Sequence, residues 1–178
     1  MRATGEQQAV PARVAAGTDD QTQRRFMSMF PSGVAVVTAF DGHAVPHGLT
    51  CTALVTVSLE PSTLLVSLNQ ASGTLDALRE SGGFAVNLLH VRSERTAKIF
   101  AGPVADRFGQ VDWKPSACVR QPQLLQDAFA FAGCTVRETI TIGDHYLVIG
   151  QIEEIEVADD VPLLYGMRRF AHWPAAPG

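Results

Sequence analysis

Gly48-Leu49-Thr50-Cys51-Thr52-Ala53-Leu54-Val55-Thr56-Val57-Ser58-Leu59-Glu60-Pro61-Ser62 sets strand-forming residues among small hydroxyl and thiol side chains. Successive side chains of a strand point to opposite faces. Read as one strand, the stretch puts Thr50, Thr52, Leu54, Thr56 and Ser58 on one face and Leu49, Cys51, Ala53, Val55, Val57 and Leu59 on the other. The first face is almost all small and hydroxylated. It admits a flat ligand close to the backbone, with Ser and Thr supplying donors and acceptors. It equally describes an edge strand whose threonines face water, and these residues alone leave both readings open.

Working outward, Gln23 to Phe30 forms a short helix with Phe26, Met29 and Phe30 on one face, stopped by Pro31. A strand follows at Val34–Phe40, then a turn at Asp41-Gly42 and a loop through His43 and His47. After Pro61 the apolar run Thr63–Leu68 has strand length, and Asn69 to Gly73 is a polar loop. A helix over Thr74–Arg79, a strand over Phe84–Leu89 and a helix starting at Ser93 come next. Residues 102–128 read as an irregular surface excursion. From Ala130 to Glu156 the pattern is a β-hairpin turning at Gly143-Asp144-His145, and Leu163–His172 is a final strand. Many strands with only short helices predict a mainly β fold, an antiparallel barrel with Greek-key-like crossings rather than alternating βαβ units. Residues 1–20 are expected to be a disordered tail, 21–174 the domain and 175–178 a second short tail.

A chain of 178 residues with 46% hydrophobic content has enough core for one domain without disulfides or metal. A formal charge of -4 argues against nucleic acid as a partner. No apolar run approaches membrane-spanning length and Met1 to Glu6 lacks a leader's apolar core, so the expectation is a soluble, cytoplasmic protein. The 3 cysteines, Cys51, Cys118 and Cys134, are odd in number and widely spaced, which fits reduced thiols better than a disulfide framework or zinc site. His43 and His47 have metal-like spacing, but Pro46 breaks any helix that would align them, and they read as loop residues.

No Gly-x-Gly-x-x-Gly fingerprint, phosphate-binding P-loop or nucleophile elbow is present. The order Phe30-Pro31-Ser32-Gly33, the hydroxyl-rich stretch, and Gly143-Asp144-His145 resembles the short-chain flavin reductase family, the reductase components of two-component flavin-dependent monooxygenases. The likeness runs from about Phe26 to Trp173. It implies a split β-barrel that binds flavin and pairs as a homodimer. The implied activity is NAD(P)H-dependent flavin reduction, with hydride passing to flavin N5 and reduced flavin supplied to a partner monooxygenase in, for example, a biosynthetic pathway.

The resemblance also implies a site. Ser32, Thr50, Cys51, Thr52 and Ala53 match the contacts to the flavin ring, and Ser67, Asn69 and Ser72 those near the ribityl chain and phosphate. Ser72 serves equally well as a helix cap. Phe100, Arg107 and Phe108 match an aromatic-plus-basic stretch beside the flavin, with Arg107 set to meet a phosphate bidentately. His145 matches the histidine on the nicotinamide side and is the one catalytic candidate; Arg168 and Phe170, with Arg169 between them, match a region closing over the substrate. The cofactors implied are FAD or FMN with NADH, NADPH being the less favoured donor. Departures from the family pattern at Cys51–Leu54 and Pro61-Ser62 leave FMN against FAD open. The alternative is a flavin-binding split barrel without turnover; an oxidase of the pyridoxamine-phosphate type ranks last, for want of a basic substrate site.

Overall fold

The Ala35–Phe40 run, Ala-Val-Val-Thr-Ala-Phe, shows no polar alternation because both of its faces are covered. Ala35, Val37 and Ala39 enter one hydrophobic cluster, and Val34 and Val36 a second on the opposite side. A strand buried on both faces reads as a continuous apolar run. The structure, a computed structural model, describes residues 19–173. Most of the two expected tails, residues 1–18 and 174–178, lies outside the described residues.

Helix α1 (Asp20–Ser28) begins three residues before Gln23, where the sequence reading started it. Asp19 caps it, its carboxylate accepting from the Gln21 and Thr22 N–H groups at 3.0 Å. Strands β1 (Ser32–Gly33), β2 (Ala35–Phe40), β3 (Pro46–Cys51), β4 (Leu54–Leu59) and β5 (Ser62–Asn69) follow. Next come α2 (Gly73–Ser81), β6 (Gly83–Leu89), α3 (Glu94–Ala101), a 3-10 turn at Phe108–Gln110, and the short strands β7 (Trp113–Pro115) and β8 (Pro122–Leu124). The long hairpin β9 (Ala128–Ile142) and β10 (His145–Val157) turns through Gly143, at φ +58°, and Asp144. The chain closes on β11 (Leu163–Gly166) and β12 (Arg169–His172).

The main sheet has seven strands in the order β3-β2-β6-β9-β10-β5-β4, with every pairing antiparallel. β3 and β4 are adjacent in sequence yet occupy opposite edges. The chain crosses between those edges at Thr52-Ala53, and the Ser67 N–H donates to the Ala53 carbonyl at 3.0 Å. That crossing joins the two edges and rolls the sheet into the barrel expected from the sequence.

The first cluster fills the barrel, with Val66, Leu68, Phe84 and Val148 meeting Leu75 and Leu78 of α2. Each fully buried Leu contributes about 2 kcal/mol of transfer free energy. The second cluster seats α3 and the β7–β8 hairpin on the outside through Ala97, Phe100, Phe108 and Leu124. Within it, Asn87 of β6 is wholly buried and fully bonded. Its Nδ2 lies 3.2 Å from the Val36 carbonyl and 3.1 Å from Thr38 Oγ1, and its Oδ1 accepts from the Leu124 N–H at 2.8 Å. The expected irregular excursion is therefore tied down at its end. Burial pushes the Cys51 thiol up, and it pushes the Cys134 thiol up to about 12; both act as small core residues.

Two expectations of continuous strands are corrected. The hydroxyl-rich stretch is β3 and β4 on separate edges, so Thr50 and Thr56 do not share a face of one strand. Leu163–His172 is a tight hairpin, because Met167 and Arg168 adopt φ of +51° and +59° and reverse the chain.

Candidate functional site

One hollow is lined by the crossing at Thr52-Ala53 and a second by β3 just before it. The first, of about 850 Å³, brings together Ser32, Thr52, Ala53, Ser67 and Arg168. The other, of about 720 Å³, brings together Thr50, Asn69, Ser72, Phe100, Arg107 and Phe108. Both volumes fall in the range of about 300–1,000 Å³ usual for small-molecule sites. Of the candidates read from the sequence, Cys51, His145 and Phe170 line neither hollow.

Tertiary contacts change the roles of several candidates. Cys51 is buried in the barrel, its thiol directed to the Ala53 carbonyl at 3.6 Å, so it offers a ligand only its backbone. Thr50 Oγ1 donates to the Ala97 carbonyl of α3 at 2.6 Å and is already spent. Phe100 is 1% exposed and sits edge-on to Phe108 at 5.2 Å; it supports the hollow from the core and presents no open ring face. Gly48 is what lets β3 lie against that ring, since a Cβ there would sit 2.6 Å from Phe100 Cε1. Phe170 packs on Tyr165 at 5.2 Å, with the Lys98 ammonium 5.8 Å from its ring, and belongs to the outer cluster.

Arg107 does not present its guanidinium for a bidentate grip on phosphate. Its two terminal nitrogens donate to the carbonyls of Gly48, at 2.9 Å, and Gly102, at 2.7 Å, fastening the loop after α3 to β3. Its Nε is buried with no partner among the described residues. A donor left unpaired in a wall that also carries the start of α2 suits an anionic group. Ser72 caps that helix, Oγ accepting from the Thr74 N–H at 3.2 Å, as one of its two sequence readings expected, and it also lines the hollow. Asn69 Oδ1 accepts from the Ala71 N–H at 2.9 Å, which shapes the loop entering α2.

His145 opens β10 directly opposite Asn69 on β5. Its Nδ1 lies 2.8 Å from Asp144 Oδ1, and the Asp144 carbonyl accepts from the Gln70 N–H at 2.9 Å. The ring is thus held by its neighbour in the turn, at the end of β5 that separates the two hollows. The His145 hydrogen bond, and more weakly the charges of His145 and Arg24, hold the Asp144 carboxyl below its usual range.

The sequence reading missed residues whose position depends on the fold. His47 lies in β3, opposite Ala39, and lines the second hollow. Its Nε2 is 3.1 Å from Asp41 Oδ2, and the Asp41 carboxyl is held low first by the Val45 N–H and then by His47. Pro46, read as a helix breaker, starts a strand instead. Arg24, Met27 and Phe30, from α1 and the segment after it, form part of the wall of the first hollow; nothing in the local sequence signals that docking.

Residues 27–174 match the model of the flavin reductase like domain. The chain belongs to this flavin reductase family. It is 55% identical over 150 residues to a flavin reductase (NADPH) of Lentzea aerocolonigenes, covering 84% of this chain and 88% of the relative. It is 40% identical over 169 residues to a flavin reductase (NADH) of Kitasatospora aureofaciens, covering 93% and 88%. Among solved structures, the NADH:FAD oxidoreductase SgcE6 of Streptomyces globisporus C-1027, in complex with NAD and FAD fragments, superposes with a TM-score of 0.85 at 27% identity over 92% of this chain and 98% of that one. Small side chains at Thr52, Ala53 and Ser67 fit what a flavin reductase asks of its walls, close approach to a flat ring.

Proposed function

We propose that this flavin reductase treats flavin as a diffusible substrate, taking FMN or FAD from solution, reducing it with NAD(P)H and passing it to a separate flavin-dependent monooxygenase. The observation that carries the reading is the exposed crossing at Thr52-Ala53, whose small side chains line the first hollow, with Thr50 just before it lining a second hollow that holds Ser72 and the Arg107 guanidinium. Thr52, Ala53 and Ser67 hold the ring plane, and Ser32 borders it. The start of α2, with Ser72, Asn69 and the Arg107 Nε, holds the phosphate side. His145, oriented by Asp144, positions the nicotinamide. Bound flavin supplies the hydride acceptor, so the protein's part is alignment and exclusion of water rather than nucleophilic attack.

The test is loss of absorbance at 340 nm with NADH or NADPH, with and without added FMN, FAD or riboflavin. Oxidation only when flavin is added is the expected result and also ranks the acceptors; tight flavin binding without turnover would overturn the reading in favour of a binding protein. In the same assay His145→Ala is expected to lower kcat/KM for the nicotinamide by about 10- to 100-fold through lost alignment, with flavin affinity little altered.

A homodimer belongs to the same proposal. Edge strand β4 exposes Val55, Val57 and Leu59 at 55%, 52% and 84%, and an apolar edge of this kind is ordinarily covered. Val55 also lines the first hollow, so a second copy seated there would adjoin the site. Sedimentation at twice the 19.1 kDa chain mass is expected; a monomer at micromolar concentration would sink this part of the proposal.

A further inference from the structure

The first hollow contains two cationic side chains and no anionic one: Arg24 from α1 and Arg168 from the β11–β12 turn. Neither makes an ion pair or hydrogen bond to any described residue. Arg92 is occupied by Asp160, Arg107 by two carbonyls and Arg137 by Gln151 and Glu153; Arg25, Arg120 and Arg169 share the lack of a partner among the described residues but do not line the hollow. Two unpaired guanidinium groups at one opening, in a chain of net charge -4, make a local field suited to a dianion.

Their convergence is built into the fold. Arg168 and Met167 hold positive φ, a conformation that asparagine or glycine adopts at lower cost. The turn is fastened to α1 by the Met167 N–H, which donates to the Ser28 carbonyl at 2.5 Å. Arg24 lies one helical turn before Ser28 on the same face, and both residues line the hollow. Arg24 is also close enough to Asp144 for its charge to contribute to lowering that carboxyl, after the larger effect of the His145 hydrogen bond. Arg24 thus lies near the turn that carries His145, and Arg168 joins it at the first hollow.

We infer that Arg24 and Arg168 together grip the 2′-phosphate of NADPH and set a preference for NADPH over NADH. The inference rests on the flavin-reductase reading of this hollow. It departs from the NADH preference expected from the sequence, which had no means of placing Arg24. A ribose 2′-phosphate is a compact dianion, and arginine meets it with forked, charge-assisted hydrogen bonds. NADH offers only a hydroxyl at that position, leaving both cations unmatched.

Calorimetric titration of the full chain with 2′,5′-adenosine diphosphate and with 5′-AMP tests the inference without turnover. Arg24→Gln and Arg168→Gln are each expected to weaken the 2′-phosphorylated nucleotide about 10-fold relative to 5′-AMP, and the double variant about 100-fold. In turnover the NADPH-to-NADH ratio of kcat/KM should fall in step. Arg169→Gln, one residue along but absent from the hollow, should leave the ratio where it is. Equal binding of the two nucleotides by the unaltered protein, or parallel losses for both in the variants, would overturn the inference. So would a change that follows FMN against riboflavin rather than NADPH against NADH, since the arginines would then hold the flavin's phosphate. A chain that binds 2′,5′-adenosine diphosphate as expected but oxidises neither donor with any flavin would support the clamp while removing the reductase reading.

Discussion

Ala53→Trp is expected to lower affinity for FMN and riboflavin by at least about 100-fold, equivalent to about 2.7 kcal/mol, with thermal stability nearly unchanged. Ala53 is exposed at the crossing between the sheet edges and lines the 850 Å³ hollow. An indole there takes the volume a flat ring needs. Among the described residues the ties at this position run through the Ala53 carbonyl, which accepts from the Ser67 N–H and the Cys51 thiol; a side-chain change leaves them in place. Surface substitutions that break no such tie usually fall within about 0.5 kcal/mol. Equilibrium dialysis against each flavin, with a melting curve alongside, is the measurement. Unchanged affinity in a folded variant would remove the ring site from this hollow.

The largest expected effect on stability is at Asn87. Asn87→Ala should cost about 3 kcal/mol, read from the midpoint of urea unfolding, because it strands the buried Leu124 N–H and removes the amide donor shared by Val36 and Thr38. That is a large share of the roughly 5–15 kcal/mol that holds a domain together. Thr38 Oγ1 still donates to the Pro122 carbonyl at 2.5 Å and Gln123 Nε2 to Glu156 Oε2 at 2.7 Å, so the β7–β8 hairpin stays attached while its bonds to β6 are lost. Asn87→Asp keeps the acceptor for Leu124 and loses the donor; the structure predicts a loss of comparable size, since a carboxylate would be buried without a cation. A midpoint shift worth under about 1 kcal/mol for Asn87→Ala would show that water or local rearrangement replaces these bonds.

Neither effect could be read from a single segment. Asn87 lies in an apolar strand pattern, and its four partners come from β2 and β8. The long hairpin was legible because its signals are local: apolar residues alternating on both sides and Gly143-Asp144 at the reversal. β2, β5, β6 and the three helices were legible for similar reasons, with helix ends shifted by a few residues. Arg107 was read from the sequence as a phosphate ligand, whereas its bonds to Gly48 and Gly102 depend on how α3 packs on β3. The Met167-Arg168 reversal has no glycine or asparagine at its two positive-φ positions, only Gly166 ahead of them, and so the sequence reads through it as strand.

By itself the sequence determined the family, the β-rich barrel and the order of its strands along the chain, because periodicity, turn residues and motif order are properties of neighbours. It also marked Thr52, Ala53, Ser67 and Ser72 as residues small enough to border a ligand. The tertiary structure alone decided that β3 and β4 part company at Thr52-Ala53, that Cys51, Thr50 and Phe100 are taken up by the core, and that Arg24 and Arg168 share one opening. Those outcomes depend on which strand edges meet and which helix covers them, and a long-range pairing leaves no periodic trace in the residues that make it.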